Sequence, residues 1–172
     1  MAADHHEGLS RQQVIEMLHL QQHVEGGFYR RTFQSDHRDK VATPNGDRFA
    51  MTSIYYLLTT ESPVGHFHKN QSDIMHFFHL GDAVRYYLIH PDGRLEIKTL
   101  GANIAAGESL QFVVTAGVWK ASEWLSGEHG YGLLSEVVVP GFDFADMTLA
   151  RSAQLVTRFP QHQGLIERLS CG

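Results

Sequence analysis

"GHFHKNQSDIMHFFHLGDAVRYYLIH" occupies residues 65–90 and reads as consecutive strands rather than helix. Two β-branched and aromatic runs, "IMHFFHL" and "AVRYYLIH", flank Gly81-Asp82, a pair suited to a tight turn. His66 and His68 stand one residue apart, which puts both on one face of a strand. If the next strand begins near Ile74, then Ile74, His76 and Phe78 share one face, and Met75, Phe77 and His79 share the other. Outward toward the C-terminus, "HPDGRLEIKTLG" signals a hairpin at Pro91-Asp92-Gly93. "SLQFVVTAG", "VWKASEWLS" and "YGLLSEVVVPGF" continue the series of short strands. Toward the N-terminus lie "RFAMTSIYYLLTT" and "GFYRRTFQS". A helix runs from Ser10, which can cap it, with Val14, Met17 and Leu18 at helical spacing and Gly26-Gly27 as its stop. Two short helical pieces, near "SAQLVTRF" and "QGLIERLS", end the chain. Many short strands without alternating helices argue for an antiparallel sandwich or barrel.

The 172 residues suit one domain, expected over residues 9–170 with a disordered tail at residues 1–8. Hydrophobic residues make up 42% and charged ones 19%, a globular balance. Fourteen Lys+Arg against 19 Asp+Glu give a net charge of −5 and no basic run, which argues against nucleic acid as a partner. No apolar run reaches the ~18 residues of a membrane span. The start lacks the basic and apolar regions of a secretory signal. The single cysteine, Cys171, allows no internal disulfide. A cytoplasmic location is the expectation.

Residues 65–82 hold four of the twelve histidines. Imidazoles on one strand face can hold a metal or move a proton. A metal site needs three or four ligands converging from separate places; besides His66 and His68, the nearby choices are Asp73, His76 and His79.

"GHFH" at 65–68 followed by Gly81 resembles the first motif of the cupin superfamily. "HVEGGFYRRTF" (23–33), "TSIYYLL" (52–58), "PDG" (91–93), "AGVWKA" (116–121) and "VPGFDFADMTLA" (139–150) resemble a narrower, little-characterised cupin family. The resemblance implies an all-β fold: a cupin double-stranded β-helix, or jelly-roll barrel, with a short N-terminal helix and short C-terminal helices. It also implies a pocket between two sheets, a homodimer, and an N-terminal strand that subunits often exchange. The sequence departs from the metal-binding pattern of the superfamily. Its Glu position falls at Ile74, and its second-motif His position at Lys120, whose ammonium would repel a cation. No cofactor is therefore expected. The best alternative metal set is His66, His68 and His76 with water, for Fe, Mn, Zn or Ni.

In a metal-free pocket His68 is the first candidate base and His66 the second. Lys120 either holds a ligand anion or reaches solvent. Arg30 is a candidate ligand-binding group, and one of Arg30 and Arg31 could instead pair with Glu25. His76 and Phe78 are expected to line the pocket. Trp119 either stacks on a ligand or fills the core. Of Tyr86 and Tyr87 only one can face inward. "PGFDFADM" reads as structural.

The first functional expectation is an isomerase or epimerase acting on a sugar nucleotide or other small polar metabolite through His-mediated proton transfer. It requires a histidine oriented by a carboxylate, which the sequence does not identify. A non-catalytic ligand-binding protein, with pocket histidines lacking such a partner, is the second. Metal-dependent oxygenase or oxalate chemistry ranks third.

Overall fold

The computed structural model describes residues 8–171, so the expected tail lies, apart from Gly8, outside the described residues. Helix α1 (Arg11–Met17) precedes β1 (Gln21–Gln22), β2 (Phe28–Gln34), β3 (Val41–Thr43), β4 (Gly46–Arg48), β5 (Thr52–Thr59) and β6 (Val64–Asn70). There follow β7 (Asp73–Gly81), β8 (Val84–Ile89), β9 (Leu95–Leu100), β10 (Gln111–Val114), β11 (Trp119–Trp124), β12 (Tyr131–Val139) and β13 (Met147–Leu149). Helices α2 (Ser152–Arg158) and α3 (Gln163–Leu169) close the chain. One antiparallel sheet has the order β1-β2-β5-β12-β7-β10 and a second β13-β6-β11-β8-β9, while β3 and β4 pair as a separate two-stranded sheet. The expected all-β jelly roll with short helices is the observed fold.

Ser10 caps α1 reciprocally: Gln13 N donates to Ser10 Oγ at 3.3 Å, and Ser10 N donates to Gln13 Oε1 at 2.9 Å. The helix stops at Met17, well before Gly26-Gly27. His19 turns the backbone with a φ of 52°, and Leu20 enters the core beside Val14. The two glycines have another use, described below.

Three apolar layers result. Tyr56, Leu58, Tyr86, Leu88, Phe112 and Leu134 fill the space between the sheets. α1 covers the outer face of the six-stranded sheet at Leu57, Tyr131 and Leu133. α2 and α3 cover the five-stranded sheet, packing Leu155, Phe159, Ile166 and Leu169 on Phe67, Tyr87, Ile89 and Trp119. Of the adjacent tyrosines, Tyr86 thus faces in and Tyr87 out. The parity expected of β7 holds: Ile74 and His76 are buried, and Phe78 packs on the inter-sheet core.

Parity fails in β6. Lys120 pairs with His68 but Ser122 with Gly65, so His66 and Phe67 together oppose Ala121 in a bulge. Phe67 turns outward under the C-terminal helices. His66 therefore does not share a face with His68, because one extra residue resets the alternation.

Candidate functional site

A cavity of about 360 Å³ opens at one end of the barrel. Its lining includes polar Gln21, His23, Glu25, His68, Asn70 and Glu136 together with Tyr29, Ile54, Ile74 and Val138. Arg31, Phe142, Asp143 and Phe144 also line it.

Glu25 reaches the cavity because the chain crosses β6 at "EGG". His66 N donates to Glu25 O at 2.6 Å, and Tyr56 Oη donates to Gly26 O at 2.8 Å. Gly26 takes a φ of +97°, and a Cβ there would clash with the Val64 carbonyl oxygen. Glycine is thus required where the carboxyl is delivered.

His68 Nδ1–H donates to His66 O at 2.7 Å, which leaves Nε2 as the nitrogen 3.1 Å from Glu25 Oε2. Burial lowers the His68 pKa to about 3 and keeps the ring neutral. Burial also pushes the Glu25 carboxyl up to about 8; Lys120 opposes the shift and Glu136 adds to it. Glu25 therefore carries the proton at neutral pH and donates it to His68 Nε2. Glu25 N donates to His23 Nδ1 at 3.2 Å, so His23 carries its proton on Nε2. Burial lowers the His23 pKa to about 4, and that ring is neutral too.

Behind this pair lies a buried ionic cluster. Lys120 Nζ donates to His76 Nε2 at 2.9 Å and to Glu136 Oε1 and Oε2 at 3.2 and 3.3 Å. His76 and Glu136 are cross-strand neighbours on β7 and β12, and Lys120 reaches them from β11 in the opposite sheet. Burial alone would raise the Glu136 pKa, but the Lys120 ammonium outweighs it and holds the carboxyl well below the usual range. One ammonium and one carboxylate neutralise each other among neutral groups.

Of the residues singled out from the sequence, the structure brings His68 to the cavity and sets Lys120 and His76 behind Glu136. Lys120 is 3% exposed, so it is not a strand lysine reaching solvent. Arg30 faces away: its Nε donates to Leu18 O at 2.6 Å, and its guanidinium lies 5.7 Å from the Tyr55 ring centre. Arg31, not Arg30, lines the cavity, and its contacts are with Gln34 and Phe142 O rather than Glu25. Trp119 is core of the outer layer, with Lys69 Nζ 4.9 Å from its ring centre. Phe78 and His66 lie off the cavity lining. Asp146 bears out the structural reading of "PGFDFADM" by pairing with buried Arg48 at 2.6 Å. Phe142, Asp143 and Phe144 of that same segment line the cavity, which the reading missed. Also missed were Glu25, Glu136 and His23. Glu136 was legible by parity, since it stands two residues from inward Leu134 and two from buried Val138.

The residues present do not fit a metal ion. The His66–His68–His76 trio is not assembled, because the bulge removes His66 and Lys120 occupies His76 Nε2. Among the described residues no three His, Cys, Asp or Glu side chains converge on a metal position.

A family model described as "Cupin superfamily (DUF985)" matches residues 12–150. The uncharacterized protein YML079W of Saccharomyces cerevisiae is 42% identical over 154 residues, or 83% of this chain and 76% of the yeast protein. A hypothetical protein from Leishmania major superposes with a TM-score of 0.88 at 32% identity, over 95% of this chain and 100% of that one. Protein SO0799 from Shewanella oneidensis gives 0.84 at 37% identity, over 95% and 99%. Oxalate decarboxylase from Bacillus subtilis gives 0.54 at 14% identity, over 90% of this chain and 37% of that one, a likeness of fold.

Proposed function

For a chain that belongs to the cupin superfamily, in the family DUF985, we propose a small-molecule pocket that moves a proton next to a carbonyl group, as an isomerase or epimerase does. One observation carries the reading: the 3.1 Å contact between His68 Nε2 and Glu25 Oε2 inside the cavity. A histidine oriented by a carboxyl was the feature separating proton transfer from plain ligand storage. The roles differ from those expected. Both nitrogens of His68 are engaged, so Glu25 is the group that meets substrate and His68 is its proton partner. In its ionised form Glu25 takes a proton from the carbon beside the carbonyl. As a neutral acid it returns that proton to the neighbouring carbon in an isomerisation; an epimerisation takes its second proton from the opposite face, from a group other than Glu25. His23, a lining residue with its proton on Nε2, supplies the donor for the carbonyl oxygen in this reading.

Deuterium wash-in tests this without a known substrate. Wild-type protein incubated in D2O with candidate aldoses and ketoses is expected to label the carbon beside the carbonyl, followed by proton NMR. Glu25→Gln is expected to slow labelling by ~10²–10⁴-fold. No labelling across the panel, or undiminished labelling by Glu25→Gln, would sink the reading. The homodimer and the cytoplasmic location belong to the same proposal; the first rests on the family resemblance and the second on the single cysteine. A monomeric mass in light scattering would remove the first, and fractionation of source cells decides the second.

A further inference from the structure

We propose that the part of the ligand buried in this cavity is uncharged and rich in hydroxyl groups, as in a free sugar or polyol-like carbonyl compound, and that phosphate and carboxylate groups are excluded. The inference rests on the small-molecule reading above and names its substrate class. The lining contains three carboxyl residues, Glu25, Glu136 and Asp143, against one cation, Arg31. Arg31 is exposed, and its guanidinium turns to Phe142 O and Gln34 Oε1. Lys120 has nothing left for a ligand anion. An ammonium has three donors, and here three acceptor atoms surround it: His76 Nε2, Glu136 Oε1 and Glu136 Oε2. Both nitrogens of His68 are occupied as well.

The lining is thus rich in acceptors. The Glu136 carboxylate keeps lone pairs beyond those facing Lys120, and Glu25 and the Asn70 amide carry further acceptor oxygens. Hydroxyl groups satisfy them by donating. A second anion would meet the Glu136 carboxylate on its cavity side, with Lys120 behind it, and near a buried carboxylate like charges repel more than in bulk water. Phe144 adds an apolar surface for the C–H face of a ring: it is 54% exposed, with its ring 5.0 Å from that of Phe142. At about 360 Å³ the space lies at the lower end of the ~300–1,000 Å³ usual for ligand pockets.

Nitrogen–proton correlation NMR of the full chain tests the class. The probes are free aldoses, ketoses and polyols, each paired with its own phosphate ester or sugar acid. Uncharged members are expected to move the Asn70 side-chain amide and the Glu25 backbone signal, and to bind at least about ten-fold tighter than their anionic counterparts. Phe144→Ala, an exposed change that leaves the core intact, is expected to weaken the uncharged probes several-fold. Glu136→Gln, which strips the carboxylate and leaves the Lys120 charge unmatched, is expected to admit the acids. An anionic probe that moves the same signals as tightly as its uncharged partner overturns the inference, and so does silence from every uncharged probe. Binding is also read in Glu25→Gln. A sugar that binds there and is never deuterated by wild type sinks proton transfer alone, whereas an acid that binds tightly and is deuterated sinks the ligand class alone.

Discussion

Glu25 gains its chemistry from burial, and the same burial makes stability depend on pH. Its folded pKa, about 8, is raised above the ordinary carboxylate value, so its contribution is complete in acid and lost as pH rises through 8. His23 and His68 act in the opposite sense. Their folded values, about 4 and about 3, lie below 6.5, so their contribution is present above that value and lost as pH falls through the folded ones. The depressed carboxyl of Glu136 likewise loses its contribution in acid. Melting temperature is therefore expected to peak at about pH 6–7. In Glu25→Gln the alkaline decline should shrink, and an unchanged alkaline limb would contradict the shift. The fold should survive this change, because the glutamine amide can still donate to His68 Nε2. Lys120→Met presents a different case. It leaves the Glu136 carboxylate buried beside neutral His76, which is expected to cost about 3–5 kcal/mol in urea denaturation. Lys120→Met combined with Glu136→Gln should recover part of that loss, since no unpaired charge remains. A double variant no more stable than the single one would show that packing, not charge, dominates at this cluster.

At the scale of elements, the crossing at Glu25-Gly26-Gly27 and the bulge in β6 set the site jointly. Gly26→Ala forces a side chain onto the Val64 carbonyl and strains a φ of +97°. We expect a loss of about 1–3 kcal/mol with Glu25 displaced from His68, so proton transfer should fall further than stability does. Full activity in that variant would mean that the crossing does not position the carboxyl. On the turn before β8, Asp82 accepts from His129 N, Gly130 N and Trp124 Nε1 and so anchors the loop entering β12. His129 Nδ1 adds a fourth donor at 2.9 Å, so Asp82→Ala removes the acceptor of four donors at once while leaving the cavity untouched. It should lower the melting temperature without altering ligand affinity, a split that calorimetry and titration can verify.

For the whole molecule, the five-stranded sheet separates two environments. His68 and Lys120 project inward from the same strands whose Phe67 and Trp119 project outward beneath α2 and α3. Ile166→Ala, at a fully buried position in that outer layer, is expected to cost about 2–5 kcal/mol. Its effect on ligand affinity should be small, since it opens space on the far face of the sheet. A change in affinity matching the change in stability would indicate that the layers are mechanically coupled.

The amino-acid order by itself determined most of the architecture. Period-two runs between Gly and Pro turns sufficed for the strands, their antiparallel character and the two closing helices, because each depends on neighbours in the chain. Ser10 announced its cap and the Pro91-Asp92-Gly93 turn its hairpin for the same reason. Ile74 and Lys120 stand where the superfamily pattern has ligands, a departure legible in the order of residues alone. Tertiary structure alone decided which polar groups meet. Glu25 joins His68 across 43 residues because two glycines let one backbone cross another. His66 leaves its expected face because a bulge adds one residue to one strand, and local alternation cannot foresee pairing with a distant partner. Arg30 and Trp119 fell outside the cavity because both faces of each sheet are covered, so parity identifies a buried face without telling which layer covers it. Lys120 became an internal counter-ion only when the two sheets closed around it.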